Sequence, residues 1–534
     1  MKNIQLLDCT LRDGGYINDW EFGTHQLINI YERLVQANVD IIEIGFLDDR
    51  RPFDINRSIM PDTASVSTIY SHIEKKAPMT VGMIDYGTCS INHLQPCSES
   101  FIDGIRVIFK EHFMHEALEF CAQVKALGYK VFAQLVSVTS YTDESLMELI
   151  QLVNKVKPYA VSMVDTYGLL YPETLLHIYK ILDDNVDPEI QIGFHAHNNL
   201  QLAHANSLAF LDYEGKHDIV IDATLYGMGK SAGNAPIELV SHYLNTKYNK
   251  KYDTNIFLEA IQESILPIYK NSPWDYKLFF YMASVNCCHP NYVKYFEEHN
   301  TFSIGSLNQL LGTIEPNNAK LLYDQAVAEQ MYKNYTSHHF NTEMYNSLRE
   351  EIGKRKVLVI GPGRNIGLQK ALIMDYIAKT QPFTISVNYT PENIKSDYVF
   401  VTNTKRYSCL SLTSKQIIAT SNIKSRHEDF KYIVNREPLL DTSADIPDNS
   451  FLMLIKFLKN IGISQIDCAG FDGYSENTGN YFNPDMEYDF VRQKATSLNE
   501  YMRKEIKKLR QNMDINFITY STYDEDENIL NATI

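Results

Sequence analysis

The sequence predicts an α/β protein in which an N-terminal TIM (β/α)8 barrel with a helical extension precedes a smaller Rossmann-like α/β domain. Up to about residue 230, short β-branched or apolar runs alternate with longer amphipathic stretches. From about residue 354 this alternation begins again, after a stretch of mostly helical pattern. Alternation of this kind is typical of strand–helix units around parallel sheets. The chain of 534 residues is also too long for a single core.

Eight strand candidates precede residue 230, and each is followed by a helical segment. Eight such units favour a closed barrel over an open doubly wound sheet. The candidates are IQLLD (4–8), DIIEIGF (40–46), MTVGMID (79–85), IRVIFK (105–110), KVFAQLV (130–136), AVSMVD (160–165), IQIGFH (190–195) and DIVIDATL (218–225).

Three regions are predicted along the chain. Residues 1–300 form the barrel and the start of a helical extension, residues 301–350 form a helical linker, and residues 351–534 form the second α/β domain. The extension contains the aromatic-rich stretch SPWDYKLFFYMASVNCCHPNYVKYF. Its aromatic side chains are interpreted as the core of a helical cap, and the alternative is that His289 and Asn291 reach a pocket.

Charge and cysteine content bear on the partners and the location of the protein. The net charge of -17 and the lack of a polybasic tract predict that neither nucleic acid nor an anionic membrane is a partner. The eight cysteines show no CxxC spacing, which predicts reduced thiols and a cytoplasmic location. No apolar stretch approaches the roughly 18 residues of a membrane span, and a motif that starts at residue 6 leaves no room for a signal peptide.

Charged residues directly follow the first strand in LLDCTLRDGGYINDW. Arg12 and Asp13 stand just beyond the carboxyl end of that strand, which faces the active-site mouth of a barrel. The Asp-Gly-Gly sequence is also common in ordinary turns. By itself this motif does not distinguish an active site from a turn, and two further motifs bear on the question.

Two histidines end the seventh strand in GFHAHNN. His195 and His197 are two residues apart, so on an extended strand they project to the same face. Because the seventh, eighth and first strands are consecutive around a closed barrel, Asp13 and the two histidines can converge. Three such ligands leave coordination positions open for a substrate, and the absence of thiolates favours a catalytic Mn²⁺, Mg²⁺, Co²⁺ or Zn²⁺ over a structural zinc. Mn²⁺ or Mg²⁺ is the expected cation, with Co²⁺ or Zn²⁺ as alternatives.

Further polar residues lie near strand ends. Asn234, in GMGKSAGNAP after the eighth strand, is a candidate metal or substrate ligand, or else a helix cap. Glu43 and Asp165 end the second and sixth strands, where they either face the pocket or serve as buried carboxylates and turn residues. Lys110, at the end of the fourth strand, either contacts a substrate anion or is exposed.

Together, DCTLRDGG, GFHAHNN and GMGKSAGNAP resemble the DRE-TIM metallolyase (HMG-CoA lyase-like) superfamily over roughly residues 1–300, and most closely its 4-hydroxy-2-oxovalerate aldolase branch. The resemblance implies that Asp13, His195 and His197 bind the divalent metal and that Arg12 stabilises an enolate oxygen. It implies a carbon–carbon lyase that cleaves or forms a 4-hydroxy-2-oxo acid through pyruvate enolate chemistry. Its partners would be a small 2-oxo acid and an aldehyde.

The catalytic base departs from the family pattern. In the aldolase branch a histidine follows the RDG motif by two positions, and here that position is Tyr16. The candidates are Tyr16 acting through a metal-bound water, His25 and His289, and the sequence does not choose among them.

Other reactions on a similar barrel would need residues that these motifs lack. A Schiff-base aldolase needs a lysine inside the barrel, and the sixth strand has none. The glycine loop Gly227-Met228-Gly229 lacks the cysteine of HMG-CoA lyases. An acyl-CoA Claisen enzyme of the same superfamily is the runner-up, and a non-catalytic metal-binding scaffold is the alternative of another class.

The second domain opens with VLVIGPGRNIG, in which glycines between a strand and a helix could surround a phosphate. The next strand ends in Asn388 rather than an acidic residue, which disfavours a dinucleotide site. The domain faintly resembles nucleotide-sugar or pterin-diphosphokinase-like domains of bacterial surface-polysaccharide proteins. The resemblance suggests a role for this protein in surface-polysaccharide or small-metabolite synthesis. The alternative is a domain that docks a partner enzyme or forms a homo-oligomer. The candidate ligand residues are Gly361, Gly363, Asn365, Asn403 and Asp472.

Overall fold

The computed structural model describes residues 2–73, 78–298, 304–314, 320–321, 323–339, 342–392, 394–410, 416–423, 430–441, 444, 446–477 and 479–524. The chain divides into two compact units, residues 1–294 with 311–323 and residues 295–310 with 324–534. In the described part of the chain, no helix combines the length and the apolar character needed to cross a membrane.

The first unit is a closed barrel of eight parallel strands, within the described residues, and the predicted fold class is confirmed. Its sheet runs in the order β1-β9-β8-β7-β6-β5-β4-β2 and closes through pairing of β1 with β2. A short ninth strand, β3, pairs with β2 only at the edge. The strands are β1 Ile4–Asp8, β2 Ile41–Leu47, β3 Ile59–Met60, β4 Met79–Asp85, β5 Gly104–Phe109, β6 Lys130–Leu135, β7 Ala160–Asp165, β8 Gln191–Ala196 and β9 Ile219–Ala223.

Amphipathic helices cover the outside of the barrel. In α3, for example, Leu27, Ile30, Tyr31 and Leu34 are buried, which is one face of a helix of period 3.6. The helices of this part are α1 Thr10–Asp13, α2 Gly15–Asn18, α3 Thr24–Gln36, α4 Thr63–Tyr70, α5 Met114–Ala126, α6 Asp143–Val156, α7 Pro172–Asn185, α8 Ala203–Asp212 and α9 Ile237–Tyr248.

Strand β2 is irregular next to the site. Its register against β4 shifts between Glu43 and Phe46. Gly45 has a φ of 144°, and a Cβ there would lie 1.8 Å from the carbonyl oxygen of Ser58. Only glycine fits this close approach, and the bulge re-aims the side chains at the end of the strand.

The predicted helical extension is observed in the described residues. Trp274, Tyr292 and Phe296 are buried, as the core interpretation expects, whereas Tyr276 and Tyr281 are exposed. The helices are α10 Thr254–Ala260, α11 Leu266–Asn271, α12 Leu278–Val285, α13 Pro290–Glu298, α14 Ile304–Gly312, α15 Gln325–His339 and α16 Thr342–Ile352, with a π-helical turn at Ile261–Ile265 between α10 and α11.

The second unit contains a parallel sheet of seven strands among its described residues, in the order β14-β13-β12-β11-β10-β15-β16. The strands are β10 Val357–Ile360, β11 Phe383–Val387, β12 Tyr398–Val401, β13 Ile417–Thr420, β14 Tyr432–Val434, β15 Gln465–Ala469 and β16 Asp514–Phe517. The helices are α17 Asn365–Leu368, α18 Lys370–Thr380, α19 Thr404–Ser408, α20 Ser450–Asn460, α21 Asp489–Gln493 and α22 Ala495–Arg510. The chain moves outward from β10 to β14 and then returns to the other side of β10, so the order reverses between β10 and β15.

Candidate active site

Three metal-ligating side chains converge at the carboxyl ends of β1 and β8. Asp13 ends the short helix α1 directly after β1, His195 lies on β8, and His197 follows that strand. The ligand atoms of these three residues all lie within 4.8 Å of one another, and all three side chains are buried. The convergence follows from the barrel order, because the carboxyl ends of its strands form one rim.

Asp13 is held in its charged form by its neighbours. Its carboxylate accepts hydrogen bonds from the amide of Asn234 at 2.7 Å and from the backbone N–H of Lys230 at 3.1 Å. Burial alone would raise the pKa of Asp13, but the Arg12 guanidinium and the two histidines outweigh it and hold that pKa below its usual value. A charged carboxylate is the form that binds a cation.

The two imidazoles present unused nitrogens. Nδ1 of His195 lies 3.0 Å from a carboxylate oxygen of Asp222, and Nε2 of His195 is buried with no hydrogen-bond partner among the described residues. Nδ1 of His197 also lacks such a partner and lies 3.9 Å from Asp13, beyond hydrogen-bond range. Burial lowers the pKa of His197 to about 3, so its ring is neutral at neutral pH. Neutral imidazole is the metal-binding form.

This donor set fits a divalent cation. Buried polar atoms are nearly always hydrogen-bonded, yet His195 Nε2, His197 Nδ1 and Asn234 Oδ1 all lack a partner among the described residues. One carboxylate and two imidazoles are the mixed oxygen and nitrogen ligands of catalytic divalent sites. Burial raises the pKa of the nearby Cys9 thiol well above its usual value, which keeps it out of the thiolate form that binds metals.

Arg12 lies between the cluster and a buried carboxylate. Its Nε donates to Glu43 at 2.8 Å and its Nη1 donates to Asp13 at 2.5 Å. Its Nη2 has no acceptor within the described part of the chain, although the side chain is almost fully buried. Arg12 therefore keeps one donor direction for a ligand at the rim.

A buried ionic network supports these residues from inside the barrel. Arg106 on β5 donates to Glu43 at 2.9 Å, to Gln134 at 3.0 Å and to Asp222 at 2.5 Å. Glu43 thus joins the two arginines, and Asp222 joins Arg106 to His195. Each charge has an opposite partner, as buried charges require.

A small cavity of about 40 Å³ opens over the cluster. Met83, Ile108 and Val164 are its apolar walls. Lys230 places a cation 5.3 Å from the ring centre of Tyr16. The lining residues are Arg12, Asp13, Tyr16, Met83, Ile108, Gln134, Val164, Thr166, His195, His197 and Lys230.

Tyr16 remains 44 % exposed although its ring packs edge-on against Trp20 and Phe46. Burial on the cavity side raises the pKa of its phenol to about 12. Tyr16 consequently keeps its proton at neutral pH and can donate a hydrogen bond.

The other sequence-predicted residues have different surroundings. Asp165 points back to its own turn, where its carboxylate accepts the backbone N–H groups of Leu169 and Leu170 at 2.7 and 3.1 Å. Lys110 lines a neighbouring pocket with Tyr167 rather than the cavity over the cluster. Glu43 acts through Arg12 and Arg106 and does not line that cavity.

The two histidines proposed as alternative bases also lie outside the cavity lining. His25 is exposed on α3. His289 packs edge-on to Tyr167 with 6.0 Å between ring centres, and its Nδ1 accepts the backbone N–H of Asn291. Burial, with smaller contributions from Lys230 and Lys110, lowers the pKa of His289 to about 4. The predicted pocket roles of His289 and Asn291 stay predictions.

Sequence reasoning missed Lys230, Gln134, Asp222 and Arg106. Lys230 stands inside the quoted GMGKSAGNAP motif, and Asp222 is the only carboxylate of the strand IVIDA. A charged residue inside an otherwise apolar strand was the available signal, because a buried charge needs a partner.

In the second unit, Gly363, Asn403 and Asp472 line a cavity of about 210 Å³. Gly361 and Asn365 lie beside it: Gly361 packs against the carbonyl oxygen of Gly470, and the side chain of Asn365 donates to the carbonyl oxygen of Tyr520. Asn403 caps α19 by accepting the backbone N–H groups of Lys405 and Arg406.

Residues 3–264 match the HMGL-like family model, so the barrel is an HMGL-like domain. The chain is 25 % identical over 271 residues to a 4-hydroxy-2-oxovalerate aldolase from Shewanella woodyi, covering 50 % of this chain and 78 % of the relative. It is 28 % identical over 288 residues to a 4-hydroxy-2-oxovalerate aldolase from Chloroflexus aurantiacus, covering 51 % and 79 %. A solved HMG-CoA lyase from Bacillus subtilis aligns with a TM-score of 0.41 and 18 % identity, covering 51 % of this chain and 95 % of that one.

Proposed function

We propose that this HMGL-like barrel is the catalytic domain of a divalent-metal-dependent aldolase, a carbon–carbon lyase that cleaves or forms a 4-hydroxy-2-oxo acid with pyruvate or a close analogue as one partner. The observation that carries the proposal is the buried cluster of Asp13, His195 and His197 beside Arg12. The relatives named as 4-hydroxy-2-oxovalerate aldolases support the same reaction class.

Asp13, His195 and His197 would hold the cation, with Asn234 close enough to Asp13 to orient it. Mn²⁺ or Mg²⁺ is the proposed cation, and Co²⁺ or Zn²⁺ is the alternative. The carboxylate suits the first pair, and imidazole is a common ligand of Zn²⁺. When bound, the cation supplies Lewis-acid stabilisation of the oxygens of the 2-oxo acid. The hydrogen bond from His195 Nδ1 to Asp222 fixes the ring and leaves Nε2 as its free nitrogen.

Arg12 stabilises the negative charge that develops on the keto oxygen. Cleavage breaks the C3–C4 bond, and its electron pair becomes the enolate of the 2-oxo acid. Glu43 and Asp13 fix two edges of the guanidinium in advance, so its remaining donor needs no reorganisation during the reaction. Preorganised donors of this kind supply a large part of transition-state stabilisation in enzymes.

Tyr16 takes part in proton transfer at the 4-hydroxyl oxygen, which becomes the aldehyde oxygen on cleavage. In the cleaving direction the 4-hydroxyl loses its proton as the aldehyde forms, and in the forming direction the aldehyde oxygen gains one. Because the Tyr16 phenol keeps its proton at neutral pH, it serves as the donor to that oxygen in the forming direction. His289, neutral at the same pH, is the alternative proton acceptor for cleavage, and because it does not line the cavity it would act through a water.

A metal-exchange experiment tests the reaction class. The protein is stripped with a chelator, refilled with Mn²⁺ or Mg²⁺, and assayed for pyruvate release with a coupled dehydrogenase. Activity should vanish on stripping and return on refilling. Unchanged activity in fully stripped protein would refute the metal-dependent mechanism. A protein that binds the divalent ion but shows no aldolase activity after refilling would favour the non-catalytic metal-binding scaffold.

The aldehyde is found by a condensation screen with pyruvate, in which mass spectrometry detects the product. Short aliphatic aldehydes and sugar-derived aldehydes form its two arms. A sugar-derived acceptor would support a role in surface-polysaccharide synthesis, and a short one would support small-metabolite synthesis. Product formed only with an acyl-CoA would instead favour the Claisen alternative.

A further inference from the structure

The second unit contains a cavity that shares no lining residue with the cavity over the metal cluster. It has a volume of about 210 Å³ and is lined by residues that follow β10, β11, β12 and β15, together with the start of α20. These are the strand ends around the point where the sheet order reverses. Ligands of doubly wound sheets bind at this position.

The place where a dinucleotide fold holds phosphate is filled by the protein itself. One carboxylate oxygen of Asp472 accepts the backbone N–H of Asn365 at 2.8 Å, at the start of α17. A Cβ on Gly361 or on Gly363 would lie 2.5 Å from the carbonyl oxygen of Gly470. Gly361 and Gly363 therefore allow the loop after β10 to approach the loop after β15 closely. The Asp472 carboxylate occupies the position where a phosphate would otherwise bind.

The second oxygen of Asp472 is available to a ligand. Oδ1 is buried without a well-formed hydrogen bond from a described residue. The backbone N–H of Arg364 and the side chain of Asn365 lie near enough to the carboxylate to favour its charged form. Asp472 lines the cavity, and a Cβ on Gly363 would lie 2.6 Å from this oxygen. A buried acceptor without a donor is costly, so it calls for a ligand that donates.

The charges around the cavity disfavour a polyanion. Arg406 already donates to the carbonyl oxygen of Met486 and stacks over the ring of Tyr488 at 4.7 Å. Asp448 is paired with Arg436 at 2.9 Å. Asp472 adds a negative charge that would repel phosphate groups.

The remaining walls combine aromatic faces with polar groups. Phe451 and Phe471 stack with 3.7 Å between ring centres, and Tyr474, Tyr481 and Tyr523 complete an aromatic surface. The volume lies below the roughly 300–1,000 Å³ of pockets for drug-sized ligands, which suits a single ring better than a dinucleotide.

We propose that this cavity binds the uncharged, hydroxylated ring of a sugar, with one ring hydroxyl donating to Oδ1 of Asp472 and the C–H face of the ring packed on the aromatic wall. A free monosaccharide and the ribose of a nucleoside share this chemistry. The site is independent of the metal cluster in the barrel.

Saturation-transfer NMR and calorimetry on the full chain test the proposal. The probes are glucose, galactose, mannose and N-acetylglucosamine for the monosaccharide arm, uridine for the nucleoside arm, and NAD⁺ and inorganic pyrophosphate as anionic comparators. We expect at least one sugar probe to bind. Asp472→Asn, which replaces the free acceptor by a donor, should raise its Kd at least tenfold.

Asp375→Asn is the matched control, because Asp375 is exposed on α18 and, among the described residues, pairs only with Lys379. It should leave sugar binding unchanged. If Asp472→Asn lowers Tm markedly, Phe451→Leu replaces it, since this change keeps an apolar side chain and removes an aromatic face. The proposal fails if no sugar probe binds, if pyrophosphate or NAD⁺ binds in their place, or if folded Asp472→Asn or Phe451→Leu protein binds sugar as the parent does.

Discussion

Nδ1 of His195 lies 3.0 Å from Oδ2 of Asp222, one strand away in the barrel. This hydrogen bond makes Nδ1 the donor and leaves Nε2 as the lone-pair nitrogen on the side of Asp13 and His197. Asp222 is held in turn by Arg106. A carboxylate behind a histidine raises its basicity and fixes its orientation, which is the usual support of a metal-ligating imidazole.

Asp222→Asn should weaken Mn²⁺ binding by about 10- to 100-fold, the usual cost of losing such a support. The amide can offer its NH₂ to His195 and so favour the wrong tautomer. Tm should fall as well, because Arg106 loses one of its two buried carboxylates. Metal affinity is measured by calorimetry on stripped protein, and an unchanged affinity would show that Asp222 serves only the fold.

Asp13→Ala should abolish tight binding of the divalent cation, since it deletes the one carboxylate of the cluster. Bound metal is measured by elemental analysis after refilling. His93→Ala is the control, because His93 is exposed and belongs to a separate group, with half-buried Asp49 and buried Cys89, that could also hold a cation. Equal metal loss in the control would contradict the assignment of the site.

Arg12→Lys should reduce turnover about a hundredfold, equivalent to about 3 kcal/mol, while bound metal changes little. Lysine keeps the charge but cannot span Glu43 and Asp13 and still offer a third donor. Turnover, Tm and bound metal are measured on the same preparation. Near-normal turnover with a lowered Tm would mean that Arg12 is a structural partner of Glu43.

Tyr16→Phe should lower kcat by 10²- to 10⁴-fold, the range for loss of a general acid or base, with a small change in metal content. The ring and its packing on Trp20 are kept, so only the hydroxyl is removed. Tyr171→Phe, on an exposed tyrosine, should leave kcat unchanged. Equal kcat in both variants would remove Tyr16 from the reaction.

Asp8→Asn should stabilise the barrel at pH 8 and have little effect at pH 4. Burial raises the pKa of Asp8 from 3.8 to about 7. Because the folded pKa lies above the unfolded one, the stability that Asp8 contributes is full below about pH 4 and is lost as the pH rises through about 7.

The difference between parent and Asp8→Asn should therefore grow by up to about 1.4 kcal/mol per pH unit in that window and stay level above it. Tm measured from pH 4 to pH 8 in both proteins checks this. A constant difference across the range would mean that Asp8 is ionised throughout.

The sequence was sufficient for the barrel and for the cluster of Asp13, His195 and His197. Each barrel strand is a mostly apolar run that is followed by a helical segment, and this local pattern can be read from the sequence alone. Closure of eight such strands then brings the first, seventh and eighth carboxyl ends to one rim, which follows from topology alone.

Only the tertiary structure decided which strand-end residues turn into the site. Like Asp13 after β1, Asp165 and Lys110 stand at the carboxyl ends of barrel strands. Yet the Asp165 carboxylate bonds to its own turn, and Lys110 lines another pocket. The pairing of Asp222 with His195 depends on the register of β9 against β8. In the second sheet, the reversal of strand order depends on the pairing of β15 with the free side of β10. Register and side-chain direction arise from contacts between segments far apart in the chain, so local sequence patterns do not contain them.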